Sequence, residues 1–102
     1  MSGSDPGHAV KQEIISRLRE VIDPETNVDV MRMRLVEDLA VDQQGLVTYT
    51  FRPSSPLCPI AVYLITTIKK VVSEVPHVKA QRIKIEGYLA AEELTRLINQ
   101  EV

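Results

Sequence analysis

The 102-residue sequence contains one cysteine, no tryptophan, one phenylalanine and three tyrosines. A single cysteine excludes an internal disulfide bond, so the chain suits a reducing compartment. Because aromatic side chains are so few, a hydrophobic core has to be built mainly from aliphatic residues. The sequence therefore does not belong with the disulfide-stapled secreted domains, and its stability must come from ordinary apolar packing.

Long apolar runs and an excess of positive charge are missing as well. No segment approaches the roughly 18 consecutive apolar residues that a transmembrane helix needs. The formal net charge is −2, which argues against a nucleic-acid partner, because binding to phosphates requires basic residues that release counterions. The first residues show neither the charged nor the apolar region of a secretory signal. We therefore expect a cytoplasmic protein with neither a membrane nor a nucleic acid among its partners.

The composition and length of the chain are sufficient for one folded domain. Hydrophobic residues make up 44% of the sequence and charged residues 25%, both ordinary for a globular protein. A chain of this length buries roughly two-thirds of its unfolded surface, which is enough for a single core. Residues 1–7 are small, polar and interrupted by Pro6 and two glycines. We predict that they form a flexible lead-in to one domain over residues 8–102.

Hydrophobic periodicity predicts three helices and three strands. Apolar residues recur every three or four positions in three segments, which we assign as helices: 8–22, 59–75 and 90–100. Alternating apolar and polar residues predict strands in three others: 35–42, 46–52 and 78–86. The first two strands are separated by a predicted hairpin turn in which Gly45 is free to adopt positive φ.

The order of these elements predicts the topology. The hairpin makes the first two strands antiparallel. The strand–helix–strand unit that follows should cross over right-handed, which makes the second and third strands parallel. We therefore predict an α/β fold of two layers, with a small mixed three-stranded sheet, helices packed on one face, and the order α-β-β-α-β-α.

The same patterns predict which side chains form the core. In the second strand Val47, Tyr49 and Phe51 should face one way and Arg52 the other. In the first strand Leu39 is expected on one face and Val36 on the opposite face. The long helix should present a wide apolar stripe formed by Ala61, Leu64, Ile65, Ile68, Val71, Val72 and Val75. A shorter stripe on the last helix must be buried against its own sheet or a partner: Leu94, Leu97 and Ile98.

The only cysteine lies where the second strand passes into the long helix. If Pro59 opens that helix, as its missing N–H allows, Cys58 is the N-cap. The first-turn N–H groups and the positive end of the helix dipole then favour the thiolate, the form that attacks electrophiles and binds metals. The alternative is that Cys58 is a small buried hydrophobe without a chemical role.

Three motifs in this order resemble the metal–sulfur cluster biosynthesis family, whose members include the PaaD-like and SufT-like small proteins. They are Asp23-Pro24-Glu25, the stretch 33–39 (MRLVEDL) and the stretch 54–59 (SSPLCP), within a similarity that runs from about Ile14 to Ile85. The resemblance implies a small α/β domain with the element order given above. It also implies a part in iron–sulfur cluster assembly.

The resemblance suggests a set of site residues. The family's cysteine at the strand-to-helix junction is implicated in cluster maturation and corresponds to Cys58. The acidic pair after the family's first helix corresponds to Asp23 and Glu25, and Arg52 and Ser54 stand where the family usually has two threonines. Cys58 is then a transient, shared ligand of the metal and the cluster. Asp23, Glu25, Arg52 and Ser54 are candidate accessory residues.

The chain departs from the family pattern in two further places. Arg34 stands where the family usually has glycine, so we expect that the backbone there needs no positive φ. The family's proline- and tryptophan-containing loop after the last strand is absent, and residues 87–89 lead into a helix instead. Because a surface aromatic loop is a typical contact element, this difference implies altered partners.

Three functions remain open on the sequence alone. The leading hypothesis is a non-catalytic factor that assembles or delivers iron–sulfur clusters through Cys58 and through contacts with a cluster scaffold or a client apoprotein. The second is a thiol-dependent enzyme or redox protein, although the chain has no resolving cysteine and no evident general base. The third is an interaction module with an inert cysteine. Because one thiol cannot supply the four ligands of a cluster, we also expect a weak or transient homodimer.

Overall fold

The structure, a computed structural model, describes residues 6–55 and 60–100. Its elements follow the order α1 (Pro6–Leu18), β1 (Val36–Val41), β2 (Leu46–Phe51), α2 (Ala61–Ser73), β3 (Ala80–Ile85) and α3 (Ala91–Gln100). β1 pairs antiparallel with β2, β2 pairs parallel with β3, and the strand order is β1-β2-β3. The predicted α/β fold and its element order are confirmed. None of the described helices is long and apolar enough to cross a membrane.

One aliphatic core lies between the sheet and the helices. Val47, Tyr49 and Phe51 of β2 are all buried, as their alternation predicted. The buried residues of α1 are Val10, Ile14 and Leu18, and those of α2 are Ala61, Leu64, Ile65, Ile68 and Val72. Val71 is the member of the predicted α2 stripe that is only half-buried, because it lies at the side of the helix next to α1.

The first helix differs from the prediction at both ends. It begins at Pro6 rather than His8, and it ends at Leu18 rather than near Ile22. After Leu18 the backbone tightens, and then Val30 N–H donates to the carbonyl of Val21. Val21 is therefore buried in a strand-like pairing and not in a helix, although its position in the sequence fits the helical repeat of α1. Ile22 is 46% exposed.

A bulge in β1 overturns the predicted facing of that strand. Glu37 pairs with Thr50 and Ala40 with Thr48, so β1 has one residue more than β2 in this interval. Asp38 takes φ 57 there, a conformation that aspartate tolerates better than most residues. The extra residue turns Leu39 to the same face as Val36, and both are buried. The expectation that these two side chains lie on opposite faces is wrong.

The hairpin turn confirms the role expected of Gly45. Its φ is 89°, and a Cβ at this position would lie 2.5 Å from the carbonyl oxygen of His77. Asp42 closes the turn, since its Oδ1 accepts from the N–H groups of Gln44 and Leu46 at 2.8 and 2.9 Å. Glycine is thus required both for the backbone conformation and for the close approach of the chain that enters β3.

The last helix packs against β3 and covers the free edge of that strand. Ile83 N–H donates to Oδ1 of Asn99 (2.9 Å), and Nδ2 of Asn99 donates to the Ile83 carbonyl (2.7 Å). Ile85 N–H donates to Oγ1 of Thr95 (3.1 Å). These bonds satisfy peptide groups that an edge strand otherwise leaves open for another chain. Of the predicted apolar stripe Leu94 is buried, Ile98 is partly buried and Leu97 is exposed.

Candidate functional site

Backbone hydrogen bonds connect the Asp-Pro-Glu turn to the carboxyl end of β2. They run from Asp23 N–H to Val28 O (3.0 Å), from Val30 N–H to Val21 O (3.0 Å), from Leu35 N–H to Val30 O (3.0 Å) and from Arg52 N–H to Leu35 O (2.8 Å). The first two bonds pair the segments on either side of the turn, the third closes the turn over residues 30–35, and the fourth joins Leu35 to the end of β2. The Asp-Pro-Glu turn therefore lies at the same end of the sheet as the segment that leaves β2 towards Cys58.

The two acidic candidates have different surroundings. Asp23 is buried, and its Oδ1 accepts from the N–H of Glu25 at 2.8 Å. The carbonyl of Asp23 also accepts from Asn27 N–H at 2.8 Å, so this residue closes a turn through its side chain and its backbone. The side chain of Glu25 is exposed. The structure thus shows a turn-forming carboxylate and a surface carboxylate side by side.

Arg52 holds the ends of the three strands together on the open face of the sheet. Its Nε lies 3.2 Å from Oε1 of Glu37, and its Nη2 lies 2.9 Å from Oε1 of Glu86. Lys84 Nζ lies 2.9 Å from Oε2 of Glu86. The hydrogen bond and charge of Lys84, assisted by the charge of Arg52, hold the pKa of Glu86 below its usual range. The guanidinium of Arg52 thus contacts a carboxylate on each neighbouring strand, and the side chain of Ser54 is exposed.

The long helix begins later than the sequence predicted. α2 starts at Ala61, and its N-cap is Ile60, which makes no side-chain capping bond. The prediction that Pro59 is the first helical residue and Cys58 the N-cap is therefore wrong. Cys58 lies in residues 56–59, outside the described residues.

Arg34 was expected to have no need of positive φ, and this expectation is also wrong. Its φ is 60°, because it ends the short turn after Asp29. Arg34 N–H donates to the carbonyl of Met31 (3.1 Å), and Leu35 N–H donates to that of Val30 (3.0 Å). This pair of bonds is the Schellman motif, which requires the left-handed conformation that glycine adopts most easily. The motif directs Leu35 towards Arg52, so it helps to place the Asp-Pro-Glu turn.

The described side chains do not form a metal site by themselves. Within residues 6–55 and 60–100, no group of three or more histidine, cysteine, aspartate or glutamate side chains is arranged to hold a metal ion. Sequence reasoning did not place the Asp-Pro-Glu turn beside the end of β2, a proximity that the backbone hydrogen bonds reveal. It also missed the Schellman motif at Arg34, for which the turn-forming Asp29 before it was the available signal.

Known proteins resemble this chain along most of its length. Residues 11–85 match the family described as iron-sulfur cluster assembly protein. The Fe-S protein maturation auxiliary factor YitW of Bacillus subtilis is 35% identical over 77 residues, which is 76% of each chain. The Fe-S protein maturation auxiliary factor SufT of Staphylococcus aureus is 32% identical over 65 residues, or 64% of this chain and 74% of that protein.

A solved structure supports the same assignment. The crystal structure of the domain of unknown function DUF59 from Bacillus anthracis superimposes with a TM-score of 0.71 at 28% identity, covering 89% of both chains. The matched region includes the Asp-Pro-Glu turn, the whole sheet and the cysteine segment. The chain belongs to the iron–sulfur cluster assembly protein family.

Proposed function

We propose that this protein is a non-catalytic factor that assembles or delivers iron–sulfur clusters, with Cys58 as a transient ligand of the cluster it passes on. The observation that carries the proposal is the family match over residues 11–85, which contains both the Asp-Pro-Glu turn and the chain's only cysteine. The relatives that are named as Fe–S protein maturation factors support the same role. The hydrogen-bonded link between the turn and the end of β2 supports a shared site.

A protein with a single thiol is suited to passing on an iron–sulfur cluster rather than to holding one permanently. Iron–sulfur clusters are held by cysteine thiolates, usually four of them, and each chain has one cysteine. The remaining ligands must come from another protein or from a small thiol. A cluster held in this way leaves when the thiolates of an acceptor replace those of the donor. The partners are therefore a cluster scaffold and a client apoprotein, in a reducing compartment such as the cytoplasm.

The accessory residues have distinct tasks in this proposal. Asp23 keeps the turn closed through its bond to Glu25 N–H. The exposed Glu25 offers a carboxylate to the metal or to the partner protein. Arg52 fixes the end of β2 through its ion pairs with Glu37 and Glu86, and Ser54 begins the segment that leads to Cys58.

Maturation of an acceptor protein tests the function. An apoferredoxin with four cysteine ligands is supplied with a loaded scaffold under anaerobic conditions, with and without a stoichiometric amount of this protein. We expect faster appearance of the acceptor's absorption spectrum when the protein is present, and no acceleration with Cys58→Ser. Equal rates with and without the protein would contradict the proposal.

A further inference from the structure

Exposed large hydrophobic side chains are concentrated beside α2. In the part of the chain that the structure describes, five such side chains are 46% exposed or more: Ile22, Val62, Tyr63, Leu89 and Leu97. All of them except Leu89 line one of two grooves that flank α2. Exposed apolar side chains that gather on one surface indicate a contact site rather than ordinary surface composition.

The groove between α2 and α3 is basic. It has a volume of about 670 Å³. Its apolar lining includes Val62, Leu94, Leu97 and Ile98, and its lysines are Lys69, Lys70 and Lys79. Lys69 donates to the carbonyl of Ile98 and so joins the two helices across the floor. We call this surface the basic groove.

The groove between α1 and α2 is acidic. It has a volume of about 610 Å³. Its apolar lining consists of Val21, Ile22, Tyr63 and Val71, and its charged side chains are Glu13, Arg17, Glu20 and Glu74. Arg17 lies 2.7 Å from Glu13 and neutralises it, which leaves two carboxylates. We call this surface the acidic groove.

Opposite charges on the two sides of one helix are not compensated within the chain. Lys70 and Lys79 in the basic groove, and Glu20 and Glu74 in the acidic groove, form no ion pair with any described residue. The outer face of α2 therefore has apolar side chains flanked by unpaired charge of opposite sign. Such a surface is complementary to a second copy of itself.

We propose that a second copy of this chain docks on the outer face of α2, so that the basic groove of each copy meets the acidic groove of the other. A two-fold axis parallel to α2 gives this arrangement, because rotation about it exchanges the two sides of the helix. A two-fold axis across the helix would place like charges together. The two α2 helices therefore run parallel, with Val62 and Tyr63 at the centre of the contact.

The small size of the contact predicts a weak dimer, and the parallel helices bring the N-terminal ends of both α2 helices together. α2 has 13 residues and is about 20 Å long, which gives a contact smaller than the roughly 800 Å² per partner of a stable complex. Parallel helices have their N-terminal ends together, and Cys58 precedes Ile60 in each chain. Because Cys58 is only two residues before Ile60 in the sequence, such a dimer offers a cluster a second thiol. Only this last step, the supply of a second thiol to the cluster, rests on the proposed function.

Sedimentation equilibrium over a wide concentration range, in the absence of iron, tests the dimer. Lys70→Glu with Lys79→Glu makes both grooves acidic and should weaken self-association at least about tenfold. Arg82→Glu with Lys84→Glu changes the net charge equally on the open face of the sheet, and it should leave self-association unchanged. Adding Glu20→Lys and Glu74→Lys to the groove variant exchanges the two charges and should restore the dimer.

Three results would overturn this proposal. They are a parent protein that stays monomeric at every concentration, a groove variant that associates as well as its sheet-face control, and a charge exchange that restores nothing. Cys58→Ser should dimerise like the parent. Failure of the dimer therefore leaves cluster handling intact, and failure of cluster handling leaves the dimer intact.

Discussion

At the scale of single residues, Arg34 shows that a left-handed backbone position can persist without glycine. The conformation costs a side-chain-bearing residue roughly 1–2 kcal/mol. Here the neighbouring contacts hold it in place, since Leu35 is bonded to Val30 on one side and to Arg52 on the other. The strain at Arg34 thus secures the connection between the Asp-Pro-Glu turn and the sheet.

Replacing Arg34 measures this strain. Arg34→Gly should be more stable than Arg34→Ala by about 0.5–1 kcal/mol, because relief of the left-handed strain exceeds the entropy that glycine loses on folding. Urea titration gives the two free energies of unfolding. The same pair at the exposed neighbour Arg32 should reverse the order, with glycine the less stable. If alanine equalled or exceeded glycine at position 34, the Schellman motif would be misassigned.

Tyr49 predicts how stability responds to alkaline pH. Its hydroxyl is buried and donates to Oε1 of Gln81 at 2.8 Å, and burial raises the pKa of Tyr49 well above its ordinary value. Because the folded-state pKa is raised, this contribution is complete below about pH 10 and is lost as the pH rises further, by up to about 1.4 kcal/mol per pH unit.

Tyr49→Phe should therefore be less stable than the parent at pH 7, because Gln81 loses its donor, at a cost of about 1–3 kcal/mol. The difference should shrink as the pH rises through about 10 to 11. Tyr63→Phe is the control, since Tyr63 is 57% exposed and the substitution should change stability little. A Tyr49→Phe deficit that stayed constant in urea titrations at alkaline pH would contradict the assignment.

At the scale of secondary-structure elements, α3 covers the edge of β3 with side-chain hydrogen bonds. Asn99 makes two hydrogen bonds with the backbone of Ile83 and a third with the carbonyl of Thr95. Asn99→Ala should cost about 1–3 kcal/mol, because it leaves partly buried peptide groups without partners. Gln100→Ala, at an exposed site on the same helix, should change stability by less than about 0.5 kcal/mol.

Hydrogen exchange locates the effect of the Asn99 variant. The amide of Ile83 should exchange faster in Asn99→Ala, because its acceptor is lost. The amide of Glu86 should change less, since it donates to the carbonyl of Phe51 on the opposite side of β3. Equal acceleration at both amides would show that α3 stabilises the sheet only globally and does not cap its edge.

The packing of α2 on the sheet gives another test at this scale. Ile68 is fully buried in the core, so Ile68→Ala should lower the free energy of unfolding by about 2–5 kcal/mol. Ile22→Ala removes the same atoms from a site that is 46% exposed, and it should cost much less. Denaturant titration compares the two. A loss below about 0.5 kcal/mol at Ile68 would place the stripe on the wrong face.

The sequence predicted the buried faces of those elements whose apolar residues repeat regularly. β2 alternates regularly, and α2 repeats its apolar residues every three or four positions, so the interior of both was predictable. The facing of β1 was not, because one extra residue at Asp38 reverses the alternation. The end of α1 was missed because Val21 is buried by pairing with Val30, a contact that no local pattern reveals. Thr95 and Asn99 resemble ordinary surface residues until β3 is beside them.

At the scale of the whole molecule, the described candidate site residues lie at one end of β2 and a tight turn closes the other. The hairpin end is closed by Gly45 against His77. The other end gathers the Asp-Pro-Glu turn, Arg52 and the start of the segment that contains Cys58. The Asp-Pro-Glu motif lies at this second end, and the chain leaves β2 there towards the motif that contains Cys58. The resemblance named candidate site residues, whereas the backbone bonds that bring the turn to the end of β2 could not be predicted from the sequence.

Cluster uptake by variants that move the thiol tests the central claim most directly. The parent, Cys58→Ser, and Cys58→Ser with Gln43→Cys are incubated anaerobically with ferrous iron, sulfide and a small thiol, and bound iron and sulfide are measured with the absorption spectrum. Gln43 is an exposed residue of the hairpin turn, so the last variant keeps one thiol per chain at the opposite end of β2.

We predict that the parent binds iron and sulfide with the absorption of an iron–sulfur cluster and that both variants lose it, since the relocated thiol lies far from the Asp-Pro-Glu turn. Uptake by Cys58→Ser equal to that of the parent would contradict the account.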